Sequence, residues 1–371
     1  MVAGEPSGDL LASLLLRSMK QRWTQLRSFG IGGDAMLAQG FESWWSSERL
    51  AVRGYLEVLP RYPELLHMRR QLGTRLLIER PELFIGIDAP DFNLDLELRL
   101  REGGLKTLHF VSPSFWAWRP EKLDKLRRAA DMVLCIFPFE APQLQARGIA
   151  ARYVGHPLAS VIPMKADAKA ARRGLGLDED GEYVALLPGS RAAEISHLAG
   201  RFLETAGRLT AQRPGLRFVL PAIPSHFNDL QASVASAGMS GSIKVFNGQS
   251  HAALAACDVA LVASGTATLE AALFKRPMVI AYRMNWLSWK MLQGRNQQAW
   301  IGLPNILCGD SLVPELLQDE ASPQALAREV LDWFHEPERV TNVRLRFDQL
   351  HLELQRDTGL LATEAIAELC A

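Results

Sequence analysis

A short apolar run that ends abruptly at an acidic residue places the strongest constraint on the fold of this chain. Leu83–Ile87 reads LFIGI, is followed by Asp88, and passes through Pro90 into a helix-like segment at residues 91–101. This pattern is typical of a buried parallel strand in an α/β protein. Ligands bind beyond the carboxyl ends of such strands, so Asp88 is a candidate functional residue. Because Asp is a common N-cap residue, capping of the following helix is the alternative role.

The same pattern recurs immediately along the chain. An apolar run at residues 107–111 leads into Ser112 and then into a group of aromatic side chains. We therefore expect two neighbouring strand ends to face one cleft. The aromatic residues either line that cleft or pack internally; they are Phe115, Trp116 and Trp118.

The beginning of the sequence predicts a third strand end. Residues 1–3 resemble the last residues of a strand, and residues 4–9, GEPSGD, form a glycine-containing turn before a helical segment. Such a turn presents free amides that suit an anion or sugar oxygens, although it is also an ordinary strand-to-helix connection. The candidate ligand-binding residues here are Gly4, Glu5, Ser7 and Gly8. A second glycine-rich turn at residues 30–33 lacks the spacing of a dinucleotide-binding fingerprint.

Composition excludes several classes of protein. Lys plus Arg and Asp plus Glu both number 41, so no overall positive field favours nucleic acid. The four cysteines lack metal-ligand or CxxC spacing, which favours reduced thiols and predicts neither a metal site nor a cofactor. No apolar stretch approaches the roughly 20 residues of a membrane span, and no signal-peptide pattern is present. We expect a cytoplasmic protein that touches a membrane at most.

The alternation of strands and helices predicts two α/β domains. It runs through residues 1–160, stops at a short linker, and restarts at Tyr183 within a second domain at residues 166–340. The last fifty residues read as helices, and we expect about 345–371 to pack back on the first domain. The predicted fold class is α/β, with two Rossmann-like domains facing a cleft.

Residues 56–80 combine apolar and basic side chains in a helical pattern. A basic amphipathic helix can lie in a bilayer interface with its arginines on anionic headgroups. A surface helix packed on the sheet produces the same pattern, and the residues alone favour that alternative. The candidate membrane-facing or acyl-facing residues are Leu59, Leu65, Leu66, Met68, Arg69, Arg70 and Leu72.

Two turns in the second domain are suited to a nucleotide. In the first, the Gly189 and Ser190 amides precede Arg191, whose charged fork suits a diphosphate. The second turn, Ser264–Thr266, begins a helix whose N-terminal amides would favour phosphate. Glu270 lies one turn into this helix, where it could accept hydrogen bonds from ribose hydroxyls. Each turn alone is also explained as a capped helix; their occurrence together favours a nucleotide site.

In combination, these motifs resemble the lipid-A-disaccharide synthase family, inverting glycosyltransferases of the GT-B architecture. The matching segments run in order over nearly the whole chain. They are AGEPSGD (3–9), GIGG (30–33), IGIDAPDFN (85–93), VSPSFWAWR (111–119), FPFE (137–140), VGHPLA (154–159), LLPGSR (186–191), ASGTATLEA (263–271), PMVIAYR (277–283) and LPN (303–305).

The resemblance implies a reaction and a set of roles. The donor would be UDP-2,3-diacylglucosamine and the acceptor would be 2,3-diacylglucosamine 1-phosphate. The products would be the β-1,6-linked disaccharide and UDP, and the reaction would need no metal. Asp88 would be the base, with His109 and His156 as rivals. The acceptor would be bound by Ser112 and Trp116 together with Gly4, Glu5, Ser7 and Gly8. The donor would be held by Gly189, Ser190, Arg191, Ser264, Gly265, Thr266, Glu270, Arg283 and Asn305.

The resemblance also implies a location. Because both substrates carry acyl chains, it favours residues 56–77 as the surface that binds the anionic inner face of the inner membrane. The oligomeric state is open between a monomer and a homodimer. Two alternative functions remain: a soluble UDP-N-acetylhexosamine epimerase, which needs no acyl groove, and a nucleotide-sugar binding module without catalysis.

Overall fold

The chain divides into two compact units. The computed structural model describes residues 1–4, 6–47, 50, 55–113, 122–285 and 299–371, excepting the side chains of 6 and 55–62. The first unit is Met1–Ser160 together with Glu353–Ala371, and the second is Val161–Leu352. The chain therefore returns to its first unit at Glu353, where the sequence suggested a return near residue 345.

The first unit is built on a parallel sheet of seven strands in the order β3-β2-β1-β4-β5-β6-β7. The central strands are apolar because helices cover both faces of the sheet. The strands are β1 Val2–Ala3, β2 Phe29–Gly32, β3 Glu42–Ser46, β4 Leu83–Ile87, β5 Lys106–Phe110, β6 Met132–Cys135 and β7 Ala151–Tyr153.

Helices follow most of these strands, and the end of the chain supplies one more. The last helix packs along the first, where the hydroxyl of Thr363 lies 3.0 Å from that of Ser18. The helices of this unit are α1 Pro6–Arg22, α2 Asp34–Leu37, α3 Tyr55–Glu79, α4 Pro90–Glu102, α5 Leu123–Ala129, α6 Glu140–Gln145, α7 Pro157–Val161, which ends at the boundary, and α16 Thr358–Cys370.

The second unit is built on a parallel sheet of six strands in the order β10-β9-β8-β11-β12-β13. Strands β8 and β11 are buried along their whole length, as expected for the centre of a covered sheet. The strands are β8 Tyr183–Leu187, β9 Arg217–Ala222, β10 Ile243–Asn247, β11 Val259–Ala263, β12 Met278–Tyr282 and β13 Glu315–Leu317.

Amphipathic helices cover this second sheet. The indole of Trp333, which is almost fully buried, donates a hydrogen bond to the carbonyl oxygen of Met278 at 3.1 Å and so fixes its helix to β12. The helices are α8 Ala168–Gly174, α9 Ala192–Gln212, α10 Phe227–Ser236, α11 Ser250–Ala256, α12 Thr266–Leu273, α13 Leu303–Cys308, α14 Pro323–His335 and α15 Pro337–Leu354, which runs into the first unit.

The predicted class, α/β with two Rossmann-like parallel sheets, is confirmed. Two strands were missed, and both lie at a sheet edge. Strand β3 reads ESWWS and is half-exposed along its length, and β13 has only three residues. Neither has the apolar run or the alternation by which a strand is recognised in a sequence.

Helix α3 corrects part of the predicted membrane surface. Met68 and Leu72 lie inside the core of the first unit, where they pack with Phe84 and Leu96. A side chain that is buried in the core cannot also face a bilayer, so the assignment of Met68 and Leu72 to the membrane surface was wrong. Leu65 and Leu66 are half-buried, Arg69 is half-buried and Arg70 is exposed. The side chain of Leu59 lies outside the described residues. Within the described part of the chain, no helix is long and apolar enough to span a membrane.

Candidate functional site

Three of the predicted residues lie side by side at the carboxyl edge of the first sheet. Strand β4 lies between β1 and β5, with Ile87 paired to Ala3 on one side and to Phe110 on the other. The next residues along the chain, Gly4 and Asp88, therefore follow neighbouring strands, and Ser112 comes two residues after β5. Ser112 is nearly buried, with its hydroxyl 3.5 Å from the Pro113 carbonyl oxygen. Glu5 and Trp116 lie outside the described residues.

Asp88 adopts an unusual backbone conformation at this edge. Its φ is +51° and that of Ala89 is +44°, in a left-handed region that residues other than glycine rarely occupy. The Asp88 amide donates to the carbonyl oxygen of Phe110 at 2.9 Å, which anchors the turn to β5. Such strained residues cluster at functional sites, where surrounding contacts hold them in place.

The carboxylate of Asp88 is not an N-cap. Helix α4 begins at Pro90, its N-cap residue is Ala89, and no side chain caps it. Among the described residues, the half-buried Asp88 carboxylate has no hydrogen-bond or ion-pair partner. The capping alternative was therefore wrong, and the carboxylate remains available to a ligand.

The first turn, residues 4–9, contains a glycine that packs on the sheet, a serine that is exposed and an aspartate that bonds to a neighbouring helix. Gly8 packs directly on the end of β4, because a Cβ there would lie 3.6 Å from Ile87 Cγ2, and Ser7 is exposed. Asp9, which the sequence did not single out, is buried and accepts hydrogen bonds from the amides of Gly33 at 2.8 Å and Ala35 at 2.9 Å. The N-terminus of α2 is thus occupied by a side chain of the protein itself, consistent with the absence of a dinucleotide fingerprint.

The two histidines named as rival bases are both buried. The Nδ1 of His156 accepts from the Leu158 amide at 3.2 Å, and its ring stacks on Phe137. Burial lowers the pKa of His156 to about 4. His109 is fully buried, with Nδ1 lying 2.7 Å from Glu97 Oε1. Neither ring is exposed at the edge where Asp88 lies.

A large cavity opens at the opposite edge of the first sheet. It has a volume of about 760 Å³, and its lining includes Phe29 and Leu83, where β2 and β4 begin. Because ligands of such sheets bind at the carboxyl ends of the strands, this cavity does not change the assignment of the site.

The predicted donor residues lie along the carboxyl edge of the second sheet. Strand β11 pairs with β8 on one side and with β12 on the other. The turns after these strands carry Arg191, Ser264 and Arg283, so the structure brings the three predicted segments together on one edge. The Arg283 guanidinium donates to the Gln318 carbonyl oxygen at 3.1 Å and pairs with Asp319 at 3.2 Å.

An internal carboxylate occupies the turn after β8. Glu194 accepts from the Ser190 amide at 3.1 Å and pairs with the Arg191 guanidinium at 3.0 Å. Gly189 has a φ of +120°, and a Cβ there would lie 2.5 Å from the Cβ of Glu194, so only glycine fits. The Ser190 amide and the Arg191 guanidinium are therefore both paired within the protein, although the Arg191 side chain remains exposed.

The turn after β11 leads into a helix without a side-chain cap. Gly265 is the N-cap residue of α12, and both Gly265 and Thr266 are exposed. The Ser264 hydroxyl donates to the Ile301 carbonyl oxygen at 3.3 Å. The open helix start, with its amides and dipole, suits an anionic oxygen.

Glu270 has a partner that the sequence did not indicate. His251, at the start of α11, lies with Nε2 3.6 Å from Glu270 Oε1. The nearby carboxylate raises the pKa of His251. The imidazole of His251 thus lies beside the Glu270 carboxylate. A lone histidine in the sequence gave no signal of this pairing.

Asn305 is not placed to bind a donor directly. It is fully buried, its Oδ1 accepts from the amides of Leu312 and Val313, and its Nδ2 donates to Val313 and Glu315. These bonds fill its capacity, so the direct contact with donor was a wrong assignment. Glu315 also accepts from the Ile301 amide at 2.8 Å, which connects Asn305 to the loop that receives the Ser264 hydroxyl.

Comparison with known proteins identifies the family. The family model described as lipid-A-disaccharide synthetase matches residues 1–368. The chain belongs to the lipid-A-disaccharide synthase family. A member from Albidiferax ferrireducens is 54% identical over 100% of this chain and 96% of that protein, and one from Pseudomonas aeruginosa is 47% identical over 100% and 97%. As a member, the chain is a glycosyltransferase of lipid A biosynthesis, as the motifs indicated.

Solved structures confirm the fold. UDP-GlcNAc 2-epimerase from Neisseria meningitidis, bound to UDP-GlcNAc, has a TM-score of 0.64 at 10% identity, covering 98% of this chain and 96% of that chain. A glycosyltransferase from Rickettsia africae has a TM-score of 0.58 at 9% identity, covering 98% and 95%. At such identities the likeness is one of fold alone, so the epimerase alternative has no support beyond a shared GT-B architecture.

Burial of His156 predicts that this protein loses stability in mild acid. In the unfolded chain an imidazole titrates near pH 6.5, whereas the folded His156 has a pKa of about 4. Between these values the unfolded state takes up a proton that the folded state does not. The free energy of unfolding should fall as pH drops through this window, by on the order of 3 kcal/mol in total.

The measurement is the thermal unfolding midpoint of the parent and of His156→Gln at about pH 7 and about pH 5. The parent midpoint should drop more than that of the variant, which has no imidazole at this position. Equal drops would show that other groups cause the acid sensitivity.

Proposed function

We propose that this family member transfers diacylglucosamine from UDP-2,3-diacylglucosamine to the 6-hydroxyl of 2,3-diacylglucosamine 1-phosphate, with inversion at the anomeric carbon. One observation carries the assignment of the base. The Asp88 carboxylate stands at the carboxyl end of β4 in a strained backbone conformation, without a protein partner among the described residues. A carboxylate held in this way suits proton transfer better than either buried histidine.

The proposed chemistry needs a base and a set of anion-binding groups. Asp88 accepts the proton of the acceptor 6-hydroxyl while that oxygen forms a bond to the anomeric carbon of the donor. The bond between this carbon and the diphosphate oxygen breaks, and UDP leaves with its electron pair. In this proposal, the Arg191 guanidinium, the open start of α12 and Arg283 stabilise the negative charge that develops on the leaving UDP. Glu270 accepts hydrogen bonds from the ribose hydroxyls.

Replacement of the base should separate turnover from donor binding. Asp88→Asn keeps the size of the side chain but removes the proton acceptor, so we expect kcat to fall by about 100-fold or more with UDP affinity within about twofold. Turnover is measured as UDP release that requires both acylated substrates, and affinity by calorimetry. Near-normal kcat in Asp88→Asn would refute the assignment.

Loss of the donor-binding guanidinium should have the opposite signature. Arg191→Ala removes charged hydrogen bonds to the diphosphate, and we expect UDP binding to weaken by about 10- to 100-fold. Arg208→Ala is the matched control, because Arg208 lies on α9, the helix that Arg191 precedes, and pairs with Glu204 at the surface. If both variants bind UDP as the parent does, the diphosphate lies elsewhere.

We further propose that the solvent-facing side of α3 docks the enzyme on an anionic membrane. Leu65 and Leu66 are half-buried, Arg70 is exposed, and Ile78 has 76% of its surface exposed. Met68 and Leu72 fix the helix to the core, and Leu65 packs partly against the same cluster. This arrangement supports an interfacial position on the inner face of the inner membrane, where acylated substrates reside.

Polar replacement on this face should release the protein from vesicles. The double variant Leu66→Ser, Ile78→Ser should bind vesicles that contain an anionic lipid about tenfold more weakly, because apolar area is lost from the contact. A matched pair, Leu345→Ser with Leu352→Ser, removes two exposed leucines from α15 and should bind as the parent does. Vesicle sedimentation gives the affinity and thermal unfolding verifies the fold; unchanged sedimentation of a folded double variant would contradict the proposal.

A further inference from the structure

Three polar side chains lie completely buried behind Asp88. Asn93 and Glu97 are one turn apart on α4, His109 lies on β5, and all three are fully inaccessible to solvent. Buried polar groups are costly unless they are hydrogen-bonded, and buried ionisable groups more so. The interior of a parallel α/β sheet is normally filled by aliphatic side chains, so packing of the fold alone does not call for this cluster.

Asn93 is bonded to the backbone of Asp88. Its Nδ2 donates to the Asp88 carbonyl oxygen at 2.8 Å, and the carbonyl oxygens of Ile87 and Val2 lie 3.4 Å away. One amide therefore ties together the ends of β1 and β4. The contact is made to the same peptide unit that the left-handed φ values of Asp88 and Ala89 reorient.

Gly86 makes room for the cluster in the middle of β4. A Cβ there would lie 2.1 Å from Glu97 Oε1 and 2.9 Å from Asn93 Cβ. Glycine weakens a strand, and within a strand it often marks a close approach by another group. Gly86 is also paired with His109 in the sheet, so Glu97 reaches over the glycine to the imidazole beside it.

The cluster is not fully satisfied by the described residues. Asn93 Oδ1, Glu97 Oε2 and His109 Nε2 are buried without a hydrogen-bond partner among them. Each such atom costs on the order of 1–3 kcal/mol. Burial raises the pKa of Glu97, against the opposing influence of His109. The protein retains an expensive group of side chains at a single place, directly behind the carboxylate that the reaction uses.

We propose that Asn93 is a positioning residue, which holds the Asp88 peptide in its left-handed conformation and so aims the carboxylate, with the Glu97–His109 pair fixing α4 over Gly86. This inference rests on the proposed role of Asp88 as base. Left-handed residues other than glycine cost about 1–2 kcal/mol each, so the peptide relaxes when the bond from Asn93 is removed. Misplacement of a reacting group by about 1 Å can cost 100-fold in rate.

The test is a double-mutant cycle on the full-length chain with both acylated substrates. Asn93→Ala should lower kcat by about 10- to 100-fold while the donor KM and the UDP affinity stay within about twofold. Added to Asp88→Asn, the same change should lower the residual turnover by less than about threefold, because Asn93 acts through a carboxylate that is already gone. Thr107→Val is the control: it removes a buried hydrogen bond from the other end of β5, to the Ala129 carbonyl oxygen, and should leave kcat unchanged.

Asn93→Leu, which has a similar volume and no polar group, repeats the test if Asn93→Ala does not fold, as judged by circular dichroism. A folded variant with normal kcat would overturn the proposal. So would an equal loss of turnover in the parent and the Asp88→Asn background, or failure of both variants to fold, which would assign Asn93 to stability alone. Failure of the base assignment is read separately, from the Asp88→Asn protein by itself.

Discussion

The parallel pairing of β4 with β1 and β5 is the interaction on which the first unit depends. It brings three chain segments that are far apart in sequence to one edge and gives each the same direction. Because the segments that follow the strands leave the sheet at that edge, Gly4 and Asp88 become neighbours through the strand pairing alone. The pairing of β8, β11 and β12 has the same effect in the second unit, where Arg191, Ser264 and Arg283 follow adjacent strands.

Both edges are supported by polar side chains that bond to the protein itself. Asp9 binds the start of α2, Asn93 holds the Asp88 peptide, and Asn305 with Glu315 orders the loop beside Ser264. Asp9, Asn93 and Asn305 lie inside the motifs that the chain shares with its family. Their contacts show that such motifs include residues that fix the backbone.

Much of this organisation could be predicted from the sequence, for a definite physical reason. A buried parallel strand must be apolar on both faces, so its end is visible as the first polar residue after the run, as at Asp88 and Ser264. Edge strands such as β3 face solvent and lack that contrast. The helical spacing of Met68 and Leu72 indicates an apolar face but not whether protein or lipid covers it. In the structure, the core of the first unit covers both side chains.

The roles that were misassigned from the sequence are those that depend on how deeply a side chain is buried. Asn305 carries an amide that suits either a sugar or a backbone, and only the three-dimensional structure shows that it is fully buried. The sequence did not single out Asn93, whose amide is buried in the same way. The pairing of Glu97 with His109 was equally hidden, because a polar residue in a helix normally suggests a solvated face. His109, named as a rival base, lies in the core, and its Nε2 has no partner among the described residues.

The carboxylate of Glu194 gives the donor turn a property that an empty positive site would not have. It already neutralises Arg191 and bonds the Ser190 amide. Any anion that binds the Arg191 guanidinium must therefore compete with Glu194 for it, and the carboxylate stays beside the turn when it is displaced from the pair.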